Sequence, residues 1–312
     1  MQERTFERDG KTVFYRVWND VIAPKGIVQI AHGMVEHTLR YDAAARLFNE
    51  AGYIVVADEH RGHGNTDPET LGYSEGEMFI QTVEDMHQLL LLTKEKYSGL
   101  PYILFGFSYG SFLTQYFIGK YMNELDGVII GGSSKNSRIS VATGAFVASI
   151  GAAFKGEKAP AKLIKKLTFG MYDGKFEDKC FLSTNKENNE RYFSDPYCSF
   201  ICSNNFYKSF FGGLKKLYTK RYAAGVGKNK PIFIVSGAED PVGGMSKGTN
   251  ALYKYYKKIG CGDVTLKLYA GARHEFLNED ITRMQDLIDF CNKAVEKAEK
   301  RANNVNKSKT EE

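Results

Sequence analysis

Apolar residues along this 312-residue chain fall into two alternating rhythms. Lys11 to Trp18 alternates apolar and polar side chains, the period of an antiparallel strand with one buried face. Gly26-Ile27-Val28-Gln29-Ile30-Ala31 and Tyr53-Ile54-Val55-Val56-Ala57-Asp58 are nearly unbroken apolar runs, as expected of strands covered on both faces. Between them, Leu39 to Ala51 has helical spacing and is stopped by Gly52. A second helix is predicted over Glu77 to Tyr97, with Phe79, Val83, Met86, Leu89 and Leu90 on one face. The strand Tyr102-Ile103-Leu104-Phe105, a helix from Ser111 to Phe117 and the strand Asp126 to Ile130 continue the alternation. It stops after Gly132 and resumes at Pro231 to Ser236. A helix near Gly248 to Ile259, a strand Val264 to Tyr269 and a closing helix from Ile281 to Lys300 complete it.

This succession predicts an α/β architecture, a mostly parallel central sheet with helices on both faces. Residues 1–134 and 229–300 would form that core. The block 135–228 holds few strand-like runs and many lysines, phenylalanines and tyrosines, and reads as a helical insertion at the carboxyl edge of the sheet. Residues 301–312, rich in Asn, Lys and Ser, are expected to be a disordered tail.

Composition narrows the function classes without changing the architecture. With 43% hydrophobic and 25% charged residues the chain is an ordinary globular sequence. No apolar run approaches the roughly 18 residues of a membrane span. The charged N-terminus lacks the apolar core of a signal peptide, so a cytoplasmic location is expected. The net charge of +5 includes a basic C-terminal segment from Lys293 to Lys309, read as solvated; without a clustered basic module, nucleic acid is not an expected partner. Five cysteines without a secretion signal argue for reduced thiols. Cys198 and Cys202 have the spacing of a metal pair, but no histidine or further cysteine accompanies them in the sequence, and no metal is expected.

Candidate chemistry begins with Gly-x-Ser-x-Gly, which occurs twice and is weak as a bare pattern. Gly106-Phe107-Ser108-Tyr109-Gly110 follows a strand and precedes a helix, the context of a nucleophile elbow. Gly72-Tyr73-Ser74-Glu75-Gly76 follows the polar stretch Asn65 to Thr70, so Ser74 reads as a loop serine. A serine hydroxyl needs a base to take its proton and an acid to orient the base. In hydrolases built on such an elbow the chain order is nucleophile, acid, histidine. Of the six histidines only His274 lies beyond residue 87, just past the last strand. The acid should follow the preceding strand, where Glu239 and Asp240 compete; Asp240 is preferred because it directly precedes Pro241, where the chain must turn. Two backbone N–H groups should hold the oxyanion: that of Tyr109, at the start of its helix, and that of Met34, in the loop made pliable by Gly33. His32 and His37 are read as structural groups bonding that loop.

Taken in order, His32-Gly33-Met34-Val35-Glu36-His37 with Arg40-Tyr41, Asp58-Glu59-His60-Arg61-Gly62-His63-Gly64, the Ser108 elbow, Gly237-Ala238-Glu239-Asp240 and the late His274 resemble the lysophospholipase/monoacylglycerol lipase-like branch of the α/β-hydrolases, the serine aminopeptidase S33-type hydrolases. The resemblance runs from about Ile27 to Phe276. It implies the α/β-hydrolase fold, with 135–228 as a helical cap (lid), and hydrolysis of a carboxylic ester such as a monoacylglycerol, lysophospholipid or short-chain ester through an acyl-enzyme on Ser108, His274 and Asp240. It implies no cofactor. The cap aromatics Phe154, Phe169, Phe176, Phe181, Phe200, Phe206 and Phe210 would then line an acyl pocket or form the cap's own core. Its lysines read as a solvated face, with transient contact to a membrane surface left open. Phe107 and Tyr109 depart from the histidine and methionine that often flank the family's serine, which bears on substrate rather than catalysis. Two alternatives stay open: an aminopeptidase-like amide hydrolase, with an acidic anchor among Glu177, Asp178, Glu187, Glu190 and Asp195, and a non-catalytic binding module. Epoxide and haloalkane hydrolysis are disfavoured, since they use an aspartate where Ser108 stands.

Overall fold

The structure, a computed structural model, describes residues 1–310. Its first elements are the strands β1 (Gln2–Arg8), β2 (Lys11–Trp18) and β3 (Gly26–Ala31), helix α1 (Asp42–Glu50) and strand β4 (Tyr53–Asp58). Helix α2 (Met78–Lys96), strand β5 (Tyr102–Phe107), helix α3 (Tyr109–Tyr121) and strand β6 (Gly127–Gly131) follow. Next comes a run of helices without a strand: α4 (Arg138–Lys155), α5 (Lys162–Asp173), α6 (Lys186–Ser194), α7 (Asn204–Lys216) and α8 (Lys220–Gly225). The alternation then resumes with β7 (Ile232–Gly237), α9 (Lys247–Lys258), β8 (Val264–Tyr269), the short α10 (Phe276–Glu279) and the closing α11 (Met284–Thr310).

Among the described residues eight strands form one sheet in the order β1-β2-β4-β3-β5-β6-β7-β8. The first two strands are antiparallel to their neighbours, and the other six are mutually parallel. This is the mostly parallel α/β architecture expected. Strand alternation divides the core in two. Ile27, Leu104, Val128, Ile130, Ile232 and Ile234 pack with Met86 of α2, Phe117 of α3 and Leu252 of α9. Val28, Ile30, Ile103, Phe105, Phe233 and Val235 turn the other way, onto Phe48 of α1 and Leu287 and Cys291 of α11. Covering both faces explains why these strands read as continuous apolar runs.

Strand β1 has no counterpart in the sequence reading. Its residues are mostly polar and exposed, because it is an edge strand with little to bury. The turn that forms it is nonetheless written in the chain: Asp9 and Gly10 both adopt positive φ, 51° and 70°, as an Asp-Gly hairpin requires. At the other end, α11 continues to Thr310, into the segment expected as a disordered tail; an existing helix extends at one hydrogen bond per residue without a new nucleation step. Residues 311–312 lie outside the described residues. No helix among the described residues is long and apolar enough to cross a membrane.

Loops at the carboxyl ends of β3, β5, β7 and β8 face the helices α4–α8. Ser199 donates its N–H to the carbonyl of Val35, and His274 and Glu275 donate theirs to Phe181 and Leu182. Helix α7 is the firmest attachment. Its Phe206 and Phe210 pack against Tyr109, and Gly213 gives room to the ring of Phe79, which a β-carbon there would overlap.

Candidate active site

Ser108 stands between β5 and α3 with φ 52° and ψ −117°. A non-glycine residue held there is strained by about 1–3 kcal/mol, and the surrounding packing must hold it. The two glycines of the motif make that packing possible. A β-carbon at Gly106 would overlap Thr114 Oγ1 and the Gly110 carbonyl, and one at Gly110 would overlap the carbonyl of Ala31 at the end of β3. Ser108 N–H donates to the Gly131 carbonyl of β6, and Ser111 Oγ donates to the Ser108 carbonyl. The turn is thus fixed from both sides, and the half-buried hydroxyl projects from the strand tip.

The late histidine comes to that hydroxyl. His274 Nε2 lies 2.8 Å from Ser108 Oγ, and its Nδ1 lies 3.0 Å from Asp240 Oδ1. Asp240 is fully buried and accepts from Val242 N–H and Ser236 Oγ, so its carboxylate is held on three sides. With Nδ1–H donated to Asp240, Nε2 is left to accept the serine proton. Burial alone would pull the imidazole pKa down; the Asp240 charge and its hydrogen bond outweigh this and raise it above the ordinary 6.5. Glu239, the competing carboxylate, is exposed and reaches none of these groups; its backbone N–H donates to Ala272. Ser74 also lies apart: its amide meets Met78 Sδ, its carbonyl accepts from Asn205, and no histidine bonds it.

Met34 and Tyr109 line the cavity beside Ser108, and among the described residues neither backbone N–H has a protein partner. The loop carrying Met34 passes so close to the serine that a β-carbon on Gly33 would lie 3.3 Å from Ser108 Cβ. Two groups hold it. Glu36 accepts from Gly33 N–H and from Tyr41 Oη. Val35, at φ 55°, donates its N–H to His63 Nε2 at 3.1 Å, while His63 Nδ1 bonds the Arg61 carbonyl. His63 serves this role as a neutral ring, because burial, with His60 beside it, pulls its pKa down to about 3. His32 is likewise structural, accepting from His60 N–H, and burial holds its pKa well below the ordinary value. Sequence reasoning had not given His63 a role; the left-handed residue it supports is Val35, a residue type that does not announce such a turn.

A buried network ties this loop to the loop that carries His274. Arg40 donates to both oxygens of Glu275 (2.7 and 2.8 Å), to Glu36 and to Asn188 of α6. His37, at the end of the same loop, bonds Asp195 Oδ2 at 2.8 Å. In sequence Cys198 had no histidine partner, but the fold places His37, Asp195 and Cys198 within 4.8 Å of one another. Burial pushes the Cys198 thiol pKa up.

Above Ser108 opens a cavity of about 470 Å³. Its walls come from α3 (Phe112), α4 (Val141, Gly144, Val147), α5 (Ile164, Phe169) and α7 (Phe210, Phe211), and no Asp, Glu, Lys or Arg lines it. Of the seven insertion phenylalanines singled out in the sequence, Phe169 and Phe210 reach this cavity. Phe206 packs on Tyr109, Phe200 on His63, Phe181 on Tyr172, Phe176 under Arg273, and Phe154 points outward. Tyr109 itself forms part of the wall, whereas Phe107 lies against the His274 ring, 4.9 Å between centroids, away from the cavity.

Sheet topology, elbow and hydrogen-bonded Ser–His–Asp chain together define an α/β-hydrolase. The family described as serine aminopeptidase, S33, matches residues 22–281, and the chain belongs to that family, in its monoacylglycerol lipase-like branch. It is 28% identical over 273 residues to a monoacylglycerol lipase of Mycolicibacterium smegmatis, covering 86% of this chain and 88% of that one. A human monoglyceride lipase is 27% identical over 268 residues, covering 85% and 80%. Among solved structures, a thermostable carboxyl esterase from Bacillus coagulans, in complex with glycerol, superposes with a TM-score of 0.85 at 27% identity, covering 94% of this chain and 98% of that one.

Proposed function

We propose that the protein is a serine carboxylic-ester hydrolase that cleaves an acyl ester of a neutral alcohol through an acyl-enzyme. The observation that carries this reading is the Ser108–His274–Asp240 chain opening onto an apolar cavity free of charged side chains. Ser108 Oγ attacks the ester carbonyl carbon as its proton passes to His274 Nε2. The N–H groups of Met34 and Tyr109 hold the developing oxyanion. The imidazolium, stabilised by Asp240, then gives that proton to the leaving alkoxide as the C–O bond breaks, leaving an ester on Ser108. Water repeats the sequence on the acyl-enzyme, releasing the acid and restoring Ser108. No step calls on a metal or an organic cofactor.

The cavity volume falls within the range of small-molecule pockets, and its aliphatic and aromatic walls fit an acyl chain. Ser134, Asn136, Ser140 and Thr143 add neutral hydrogen-bonding groups at its lining, suited to a polyol such as glycerol. This favours monoacylglycerol over a lysophospholipid, whose charged head would have no partner in the cavity. The esterase and lipase names of the relatives support the same choice. The helical segment 135–228 acts in this proposal as a cap that shapes acyl selectivity. An aminopeptidase-like reading would need a carboxylate to anchor the substrate amine, and none lines the cavity; Glu36 and Glu275, in a small side pocket beside Ser108, are already bound by Arg40, Asp178 is paired with Arg273 and Asp195 with His37. Five unpaired, buried cysteines support a reducing compartment such as the cytoplasm.

A p-nitrophenyl ester series from acetate to laurate, run beside labelling with a fluorophosphonate probe, tests this proposal. Wild type hydrolyses the esters and labels; Ser108→Ala does neither. Failure of wild type to label and to turn over any ester overturns it.

A further inference from the structure

The loop that carries Met34 and the helical insertion meet at three side chains that the ester chemistry does not use. His37 closes that loop, and Asp195 and Cys198 lie in the connection between α6 and α7. Backbone bonds set their spacing. Cys198 donates its N–H to the Asp195 carbonyl at 3.0 Å, which folds residues 195–198 into a turn. Tyr197 N–H donates to Asp195 Oδ1 at 2.8 Å, so Oδ2 is the oxygen left for His37 Nε2, also at 2.8 Å. Ser199, at φ 58°, donates to the Val35 carbonyl and holds the turn against the loop. One ligand atom from each of His37, Asp195 and Cys198 then lies within 4.8 Å of the other two. Among the described residues no other group of three His, Cys, Asp or Glu side chains has that spacing.

Donor type and charge name the ligand. A nitrogen, a carboxylate oxygen and a sulfur suit a borderline-soft divalent cation, whereas Mg²⁺ and Ca²⁺ take oxygen donors. Tetrahedral Zn²⁺, with bonds of about 2.0–2.3 Å, sets its donors about 3.3–3.6 Å apart, so roughly an ångström of side-chain movement closes the cluster on an ion. The charged groups acting most on Cys198 are Glu36, Asp195 and Glu275 against Arg40 alone, three negative charges against one positive. That excess sits where His37, Glu36, Cys198 and Glu275 are almost wholly buried, and a dication offsets it. Asp195, with 29% of its side chain exposed, is the side open to water.

We propose that His37, Asp195 and Cys198 bind one Zn²⁺, which enters past Asp195 and keeps a water in its fourth position. Cys198 gives its thiol proton to solvent as the sulfur–zinc bond forms, and neutral His37 supplies a lone pair. None of the three lines the cavity above Ser108, so the ion acts as a clamp between the insertion and the Met34 loop rather than on the ester bond. It reinforces a joint otherwise made by the His37–Asp195 and Ser199–Val35 hydrogen bonds. The site goes beyond the esterase reading and is measured by metal binding rather than turnover, so either one fails without the other.

Titration of the chelator-treated full chain with Co²⁺, followed by displacement with Zn²⁺, is the test. Wild type should take up one equivalent and show a thiolate-to-cobalt charge-transfer band with the visible bands of a tetrahedral ion, both abolished by Zn²⁺. Cys198→Ser should lose the charge-transfer band, and Asp195→Asn should weaken binding by on the order of a hundredfold. Cys202→Ser, four residues on and outside the cluster, should keep both. Zn²⁺ at a hundred times its Kd should raise the wild-type Tm by about 3–5 °C and leave that of Cys198→Ser unchanged. Circular dichroism reports that each variant is folded, and the wild-type spectrum decides the matter even where one is not. Absence of a charge-transfer band in wild type, or a band that survives Cys198→Ser, would overturn the proposal. So would binding that His274→Ala removes, which would assign the ion to the Ser108 site.

Discussion

At the carboxyl edge of the sheet Asp240 and His274 are almost wholly buried, Ser108 is held in a left-handed turn, and glycines at 106 and 110 leave no room for any other residue. Across the cavity, α4 and α5 leave Phe146, Phe154, Leu163 and Met171 exposed, and at the wall Gly144 gives room to the ring of Phe211. The edge is over-determined, with every polar atom of the Asp240 carboxylate partnered and the serine turn bonded on both sides. The outer helices are not. The proposed chemistry therefore sits where the fold tolerates no change, and the proposed selectivity where it tolerates many. Helix α7 belongs with the edge in this respect, because Phe206, Phe210 and Gly213 lock it against Tyr109 and Phe79.

The sharpest break of that contrast is Ser108→Ala. It should lower kcat by on the order of 10⁴–10⁶-fold, equally for short and long acyl esters. A loss that depends on chain length would mean that the serine also shapes selectivity. Asp240→Asn comes next, at about 10⁴-fold near neutral pH, because the amide turns the imidazole to the wrong tautomer. It also moves the pH profile. The base must be neutral to accept the serine proton, and Asp240 raises the His274 pKa despite burial, so kcat/KM should rise through a limb above pH 6.5. Removing the charge should bring that limb down in pH. A limb already below 6.5 in wild type would contradict the geometry.

Stability should respond to pH in the opposite sense at the loop that carries Met34. The raised His274 pKa contributes stability that is complete below 6.5 and is lost as pH rises through the folded value. Buried His32 and His63 have depressed values, the latter about 3, so their contribution is present above 6.5 and is lost as pH falls from there toward 3. The urea midpoint should therefore begin to fall between pH 6.5 and 5, above the range in which ordinary carboxylates titrate. A midpoint that is flat down to pH 5 would mean these rings are not buried neutral.

Gly144→Ala probes the tolerant side. Its β-carbon would press on the ring of Phe211, which must shift into the cavity or away from it. KM for the laurate ester should change by about tenfold while acetate hydrolysis stays within twofold. Equal effects on both esters would show that the outer wall acts on the catalytic residues, and the contrast would fail.

Legibility in the sequence follows the same division. The elbow was readable because its constraints are local: a strand, two glycines, a helix, and one histidine late enough to serve. The strands were readable because coverage on both faces leaves unbroken apolar runs. Edge strand β1 was not, since its pairing with β2 leaves its polar side chains in water. The pocket walls were not either. Of seven named phenylalanines two reach the cavity, and Phe112, Tyr207 and Phe211 went unnamed, because helical period alone does not decide which side of a helix meets which neighbour. His63 was hidden for a related reason: its partner is a backbone N–H made available by a residue at positive φ, which no side-chain pattern announces.

Glu239→Gln is the smallest expected effect and the one that tests the edge most narrowly. The sequence left two adjacent carboxylates, and only a turn before Pro241 separated them. In the fold one carboxylate points inward to His274, Ser236 and Val242, while the other is exposed one residue earlier. An exposed substitution away from any cap or ion pair changes stability by about 0.5 kcal/mol or less. The Glu239 backbone N–H, which bonds Ala272, is kept by the glutamine. Wild-type kcat within twofold and an unchanged pH limb are expected, measured beside Asp240→Asn in the same buffers. A tenfold loss in Glu239→Gln would mean that this loop rearranges to bring the second carboxylate to His274, and the edge would then be as adaptable as the helices facing it.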